Sequence, residues 1–355
     1  MTQEPKIRQV PLKVLVVDDS AYNRRSISEI LAASPDVTVV AKAADGEEAL
    51  RLVSVYHPDV ITLDLEMPRM DGFTFLRILM SKYPTPVVVV SSYSQKENVF
   101  KALELGALDF VAKPDRYADV DLSGLRDELV QKVLVARTLK RQALAVRQRL
   151  DSSSGAPSER PKPPRVTAPR RLIAIASSTG GPSALMEVFS GLPASLPDAV
   201  LIAQHMPEKF TRTFADRLDR RSALRVSEGQ DQDAIGGGTA FVCPGRKCME
   251  VERSGTGYRL RVHSPSEKDR YVPSADRLFS SVARAAGQRA VGVILTGMGD
   301  DGVSGAREIV EAGGVVVAES EVTAVVYGMP GAAVRAGVVS RTLTLSDVAD
   351  WIVGA

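Results

Sequence analysis

The chain has 355 residues, enough for two domains of ordinary size, each with its own core. With 44% hydrophobic residues, 25% charged residues and a formal net charge of only +2, it reads as globular, and nothing in the balance calls for nucleic acid or a membrane surface. Cys243 and Cys248 are too few for a disulfide framework and lack the partners of a zinc site, so ordinary packing is expected of them.

The first ten residues are polar, and no run approaches the ~20 apolar residues of a membrane span, so the expectation is a cytoplasmic protein without membrane insertion. Apolar runs at 12–17, 37–41, 60–63, 87–90 and 110–111 predict five buried strands. Helical periods at 24–33, 47–56 and 73–80 lie between them, punctuated by Gly and Pro. This alternation predicts a doubly wound, five-stranded parallel α/β domain over residues 10–125.

Asp18 and Asp19 follow the first predicted strand, and Asp64 ends the third. Ligands of open α/β sheets sit at the carboxyl ends of the strands, so these carboxylates should converge on one crevice. Three such groups repel one another unless a hard cation such as Mg²⁺ neutralises them. Ser91 ends the fourth strand and Lys113 the fifth, which brings a hydroxyl and an ammonium to the same rim. The arrangement suits phosphoryl transfer onto Asp64, with Mg²⁺ and Lys113 balancing the charge and Ser91 sensing it. Taken singly, the aspartates are also ordinary caps and Lys113 an ordinary surface residue; five such residues on successive strand ends favour a site.

The segments VLVVDDS (14–20), DVITLDLEMPRMDG (59–72), VVVVSS (87–92) and ALDFVAKP (107–114) resemble a response-regulator receiver domain. That resemblance implies that Asp64 is the phospho-acceptor and that Asp18 and Asp19 help hold Mg²⁺. Asp64 itself and the backbone carbonyl of Glu66 would complete the protein ligands, and a sensor histidine kinase would be the phosphodonor.

A long helical period at 123–150 carries Leu and Val on one side and basic residues on the other. It gives way to DSSSGAPSERPKPPRVTAPRR (151–171), which cannot bury a core and reads as a solvated linker. Residues 126–171 are thus expected to be a helix and a flexible connection, the linker spanning roughly 25 Å on average. From 172 to 355 a second α/β alternation begins. Its strands are predicted at 172–176, 200–203, 291–295 and 315–318 in a mostly parallel sheet. Shorter alternating segments at 239–242, 249–253 and 258–262 suggest added antiparallel hairpins.

The run RLIAIASSTGGPSALMEVF leads from a strand through a Ser-Ser-Thr-Gly-Gly turn into a helix with Pro182 in its first turn. Ser178 is the candidate nucleophile, lying beside helix N-terminal N–H groups that stabilise an oxyanion, although such a loop equally suits a phosphate. Of the three histidines, His57 and His263 read as surface residues; His205, in AQHMP, follows a strand and is the candidate base. VGVILTGMGDDGVSGA brings Asp300 and Asp301 to the same rim, one to orient His205 or to cap the next helix. Gly297, Gly299 and Gly302 permit a tight backbone path there. The order Ser…His…Asp disfavours an α/β-hydrolase, whose order is Ser…Asp…His.

SSTGGP, QHMP and LTGMGDDG together resemble the catalytic domain of chemotaxis protein-glutamate methylesterases, the CheB family, with support from PSADRLFSSVA (273–283) and VVYGMPGAA (325–333). The resemblance implies Ser178 as nucleophile, His205 as general base and acid, and Asp301 as orienting acid. The N–H groups of Met298 and Thr179 would be the oxyanion donors. It further implies hydrolysis of glutamyl methyl esters and deamidation of certain glutamines on chemoreceptor helices, with no cofactor for the hydrolase step. Two departures stand out. Ala176-Ser177 replaces the family's usual Gly-Ala, adding a β-carbon at the elbow and a second hydroxyl; Tyr271-Val272 replaces the usual His-Arg. A receiver driving DNA binding would need a basic helix-turn-helix, which the strand-rich second half lacks. A non-catalytic adaptor on the same fold is the other alternative.

Overall fold

The computed structural model describes residues 10–92, 95–113, 122–139 and 167–354. Most of the predicted linker therefore lies outside the described residues. The chain divides into two compact units, Met1–Asp151 and Ser152–Ala355.

In the first unit, strands β1 (Leu12–Val17), β2 (Val37–Ala43), β3 (Val60–Leu63), β4 (Val87–Ser91) and β5 (Asp109–Ala112) form a parallel sheet in the order β2-β1-β3-β4-β5. Helices α1 (Ala21–Ala32), α2 (Gly46–Tyr56), α3 (Gly72–Lys82), α4 (Lys96–Glu104) and α5 (Leu122–Leu134) connect and flank it. Side chains start three of them: Ser20, Asp45 and Asp71 each accept from the N–H three residues on. β3 and β5 are buried along their whole length, as strands covered on both faces must be. β1 lies between β2 and β3, so the chain leaves it on opposite sides and a crevice opens beyond its carboxyl end.

The second unit is built on a seven-stranded, wholly parallel sheet. Its strands are β6 (Leu172–Ser177), β7 (Ala199–Gln204), β8 (Arg225–Glu228), β10 (Thr239–Val242), β13 (Ala290–Ile294), β14 (Val315–Glu319) and β15 (Arg341–Leu343), in the order β15-β14-β13-β6-β7-β10-β8. A separate antiparallel sheet, β11-β12-β9, holds β9 (Ala234–Ile235), β11 (Cys248–Ser254) and β12 (Gly257–His263). The expected antiparallel hairpin is thus β11–β12. Residues 239–242, grouped with it by their alternation, join the main sheet in parallel instead.

The helices of this unit are α6 (Gly181–Ser190), α7 (Glu208–Arg221), α8 (Ala275–Ala286), α9 (Val303–Glu311), α10 (Met329–Arg335) and α11 (Leu345–Gly354). α8 buries Leu278, Phe279 and Val282 in one cluster with Ala174, Ala176 and Leu201 of the sheet and Met249, Val251 and Leu260 of the small sheet. Cys243 and Cys248 are buried free thiols, the packing role expected of them. As β1 does in the first unit, β6 sits between strands reached in opposite directions, β7 and β13. The crevice beyond its carboxyl end is where the loops carrying Ser178, His205 and Asp301 leave the sheet.

Candidate active site

Ser178 is the first residue beyond β6. Its N–H donates to the carbonyl of Thr296 (3.0 Å), tying the turn to the loop after β13. Its own carbonyl accepts from Gly181 N (2.8 Å) as the chain bends into α6. Gly180 makes that bend with φ of 76°, and a Cβ there would lie 3.0 Å from Val325 Cβ. Thr296 is the hub of the crossing. Its N–H donates to the buried carboxylate of Glu319 (2.8 Å), while its hydroxyl donates to Thr179 O and accepts from Val326 N, both at 2.9 Å. Three strand ends are thereby held in one register.

His205 leaves β7 beside this turn, and its N–H donates to Ser177 O (3.0 Å). Its ring Nε2 lies 2.8 Å from Asp301 Oδ2. Asp301 is only 1% exposed and also accepts from two N–H groups in the first turn of α8, Ala275 (2.8 Å) and Asp276 (3.0 Å). These two helix N-terminal donors hold the carboxylate in place independently of the histidine. With Nε2 on Asp301, Nδ1 is the nitrogen left to face a serine. Among the described residues no hydrogen bond joins Ser178 Oγ to this ring, a contact that commonly tightens only in the substrate complex. The backbone N–H groups of Thr179 and Met298 likewise have no acceptor among the described residues.

Asp300 takes a different direction. It is 56% exposed on its side chain and meets Arg270 (3.2 Å) and the hydroxyl of Tyr271 (2.8 Å). Neither aspartate caps α9; its N-cap is Gly302, and Asp276 receives Gly305 N (2.8 Å) instead. Tyr271 stacks on the His205 ring, centroids 5.3 Å apart and planes within 8°. Arg270, Tyr271, Asp276, Asp300 and Asp301 line a cleft of about 420 Å³, and neither His205 nor Ser178 is among its lining residues. His57, exposed in the left-handed cap of α2, and His263, paired with Glu250 at 3.1 Å, stay away from the crevice as expected. The β-carbon of Ala176 is buried without crowding the facing loop, since even a Cβ added at Gly302 would lie 3.5 Å from it, an ordinary van der Waals distance.

In the first unit, one carboxylate oxygen from each of Asp18, Asp19 and Asp64 lies within 4.8 Å of the others. Asp18 and Asp64 are buried, and Lys113 Nζ pairs with both, at 2.8 Å from Asp18 Oδ2. That Asp18 oxygen, although ion-paired, has no hydrogen-bonding partner of good geometry. Burial raises the Asp64 pKa against the pull of Lys113, with the Asp18 charge adding to the rise. Burial opposes charge on Lys113, but the two carboxylates outweigh it and raise its pKa. Three hard oxygen donors and an underused buried oxygen suit Mg²⁺. The Glu66 side chain is exposed and accepts from Asn98 (3.4 Å), so any ligation from Glu66 falls to its carbonyl. Ser91 Oγ donates to Gln95 (2.6 Å), directed to the start of α4.

Comparison with known proteins follows the same division. The family described as CheB methylesterase matches residues 173–352, and the response regulator receiver domain matches residues 14–121. A protein-glutamate methylesterase/protein-glutamine glutaminase of Myxococcus xanthus is 48% identical over 340 residues, 95% of each chain.

The chain belongs to the CheB methylesterase family.

A second CheB relative, from Pseudomonas aeruginosa and of the same description, is 44% identical over 96% of this chain and 95% of its own. The crystal structure of the Thermotoga maritima CheB methylesterase catalytic domain is 30% identical, with a TM-score of 0.51, covering 53% of this chain and 98% of that one. This CheB chain is accordingly a receiver-linked hydrolase. Sequence reasoning passed over three residues that build its site, Gln204, Thr296 and Glu319, and marked Tyr271 only as a departure from the family pattern. Only Gln204 left a signal, as a polar residue closing the apolar run before His205.

Proposed function

We propose that this chain hydrolyses glutamyl methyl esters, and deamidates certain glutamines, on the cytoplasmic helices of chemoreceptors, and that phosphorylation of Asp64 by a sensor histidine kinase controls it. The observation that carries the reading is the His205–Asp301 pair at 2.8 Å, anchored on α8 next to the turn that bears Ser178. Ser178 Oγ attacks the γ-carbonyl while His205 Nδ1 takes its proton. The imidazolium so formed is balanced by Asp301. The N–H groups of Thr179 and Met298 receive the developing oxyanion, each such donor being worth about 10²–10³ in rate. Breakdown of the tetrahedral intermediate returns the proton from His205 to the leaving methoxide, releasing methanol. Water, deprotonated by the same imidazole, then cleaves the acyl-enzyme and restores the glutamate carboxylate and the serine hydroxyl. In deamidation the leaving group is ammonia.

Asp18, Asp19, Asp64 and the Glu66 carbonyl would hold Mg²⁺, which supplies charge neutralisation for phosphoryl transfer when bound. Lys113 compensates the phosphate, and Ser91 leaves Gln95 to accept the new partner. The family membership and the receiver match support this assignment, and we propose domain bounds of 10–125, 126–171 and 172–355. No helix among the described residues is long and apolar enough to cross a membrane. We place the enzyme in the cytoplasm, where its substrate helices lie.

One experiment tests both halves: methanol release from methylated receptor membranes, with and without a small phosphoryl donor. Wild type should be stimulated by the donor; Asp64→Ala should keep the basal rate and lose the stimulation; Ser178→Ala should release no methanol. Release by Ser178→Ala at the wild-type rate would remove the proposed nucleophile.

A further inference from the structure

The candidate nucleophile and base lie at the end of the sheet, where a single backbone bond, His205 N–H to Ser177 O (3.0 Å), still ties the continuation of β7 to β6. Ser177 and Gln204 are the last paired residues of β6 and β7, so Ser178 and His205 are the first positions beyond that ladder. The Gln204 side chain folds back over this end. Its Nε2 donates to Ser178 O (3.0 Å) and to His205 O (2.9 Å), and its Oε1 accepts from the hydroxyl of Ser177 (2.6 Å). Gln204 and Ser177 are almost completely buried, at 1% and 0% exposed. An amide has two hydrogens, and here each has a carbonyl; its oxygen faces the one neighbour able to donate. Turning the amide over would set its oxygen against two carbonyl oxygens and leave the Ser177 hydroxyl to face an NH₂. The two carbonyls therefore fix the amide's orientation, and the Ser177 hydroxyl, able to donate, satisfies the buried oxygen that results. The room for this lies at Gly181, where a Cβ would collide with Gln204 Oε1 and come within 2.8 Å of Ser177 Cβ.

We infer that Gln204, its amide oxygen satisfied by Ser177, is a positioning residue that extends the β6–β7 ladder by a side-chain rung and sets the separation of Ser178 and His205. This rests on the hydrolase reading above. It makes the second hydroxyl of the Ser-Ser pair a structural partner of the amide, with no competition for the nucleophile.

The test uses the full chain, with methanol release from methylated receptor membranes, the rate of Ser178 modification by a serine-directed fluorophosphonate, and thermal melting. Gln204→Glu keeps the shape but loses the two donors. Its kcat and phosphonylation rate should fall at least about 100-fold with KM little changed, the cost of a misplacement near 1 Å. Ser177→Ala removes the donor to the amide oxygen and should lower both rates about 3–10-fold with KM unmoved, while the buried oxygen left unpaired lowers the melting temperature modestly. A merely structural role would lower the melting temperature and spare the phosphonylation rate of the folded protein. A folded Gln204→Glu protein within about threefold of wild-type kcat overturns the inference. If that variant does not fold, Ser177→Ala decides, and rates within about twofold of wild type overturn it. A wild type inert toward both phosphonate and membranes defeats the hydrolase reading itself, and this inference with it.

Discussion

Asp301 carries three hydrogen bonds on two oxygens, one from His205 and two from the start of α8. The same carboxylate is therefore both the orienting acid of the proposed triad and part of a helix N-terminus. Asp301→Asn is expected to lower methanol release by about 10³–10⁴, because an amide favours the wrong imidazole tautomer. It should also cost about 1 kcal/mol as a damaged cap, read as a lower melting temperature. Ser178→Ala should leave melting unchanged, which separates the two kinds of loss. Ser178 and His205 each stand one intervening residue past an apolar run and Asp301 lies in the loop after another, which made them legible as candidates because strand ends of an open sheet converge. Gln204 was legible only as a member of a motif. Its work depends on a side chain folding back across a neighbouring strand, and no local pattern encodes that.

At the level of elements, the site is held by loops that approach one another closely. A Cβ at Gly297 would lie 2.8 Å from Ser178 Cβ and 3.0 Å from Ser178 N, and it would overlap the Met329 sulfur. Gly297→Ala must therefore push the β13 loop away from the nucleophile turn. Turnover is expected to fall at least about 100-fold while the sheet survives, checked by methanol release against the far-ultraviolet spectrum of the folded protein. The alternation was readable in the first sheet and in the central strands of the second, where near-continuous Val, Ile and Leu leave little choice, whereas the short strands β8, β9 and β15 were not predicted. Nor was the direction of β10. Period-two alternation and glycine turns mark Thr239–Val242 and the neighbouring hairpin alike; only the distant ladders with β7 and β8 make one parallel.

Across the whole molecule, the entry to the second unit is fastened before its first strand. Thr167 O accepts from Gly237 N, Arg170 N donates to Pro197 O, and the guanidiniums of Arg170 (3.2 Å) and Arg171 (2.6 Å) grip Asp198. Arg171 also donates to Ile352 O near the other end of this unit. The basic residues at the end of the predicted solvated stretch thus have a buried partner that composition alone could not reveal. Burial pushes the Asp198 pKa up, but the two guanidiniums outweigh it and hold the carboxyl below its usual range. A depressed folded-state pKa contributes stability above the ordinary carboxylate pKa of about 4, and that stability is lost as pH falls through the folded value. Asp198→Asn should lower the melting temperature of this unit at pH 7 and flatten its decline below about pH 4. Stripping the buried partner from Arg171 costs about 3 kcal/mol.

The His205–Asp301 pair is complete in the resting molecule, with its acid already wired to α8. What remains to be joined to it, among the described residues, is the Ser178 hydroxyl. If the proposed phosphorylation of Asp64 controls only the admission of a large substrate, a small ester is expected to be hydrolysed at nearly the same rate with and without the phosphoryl donor.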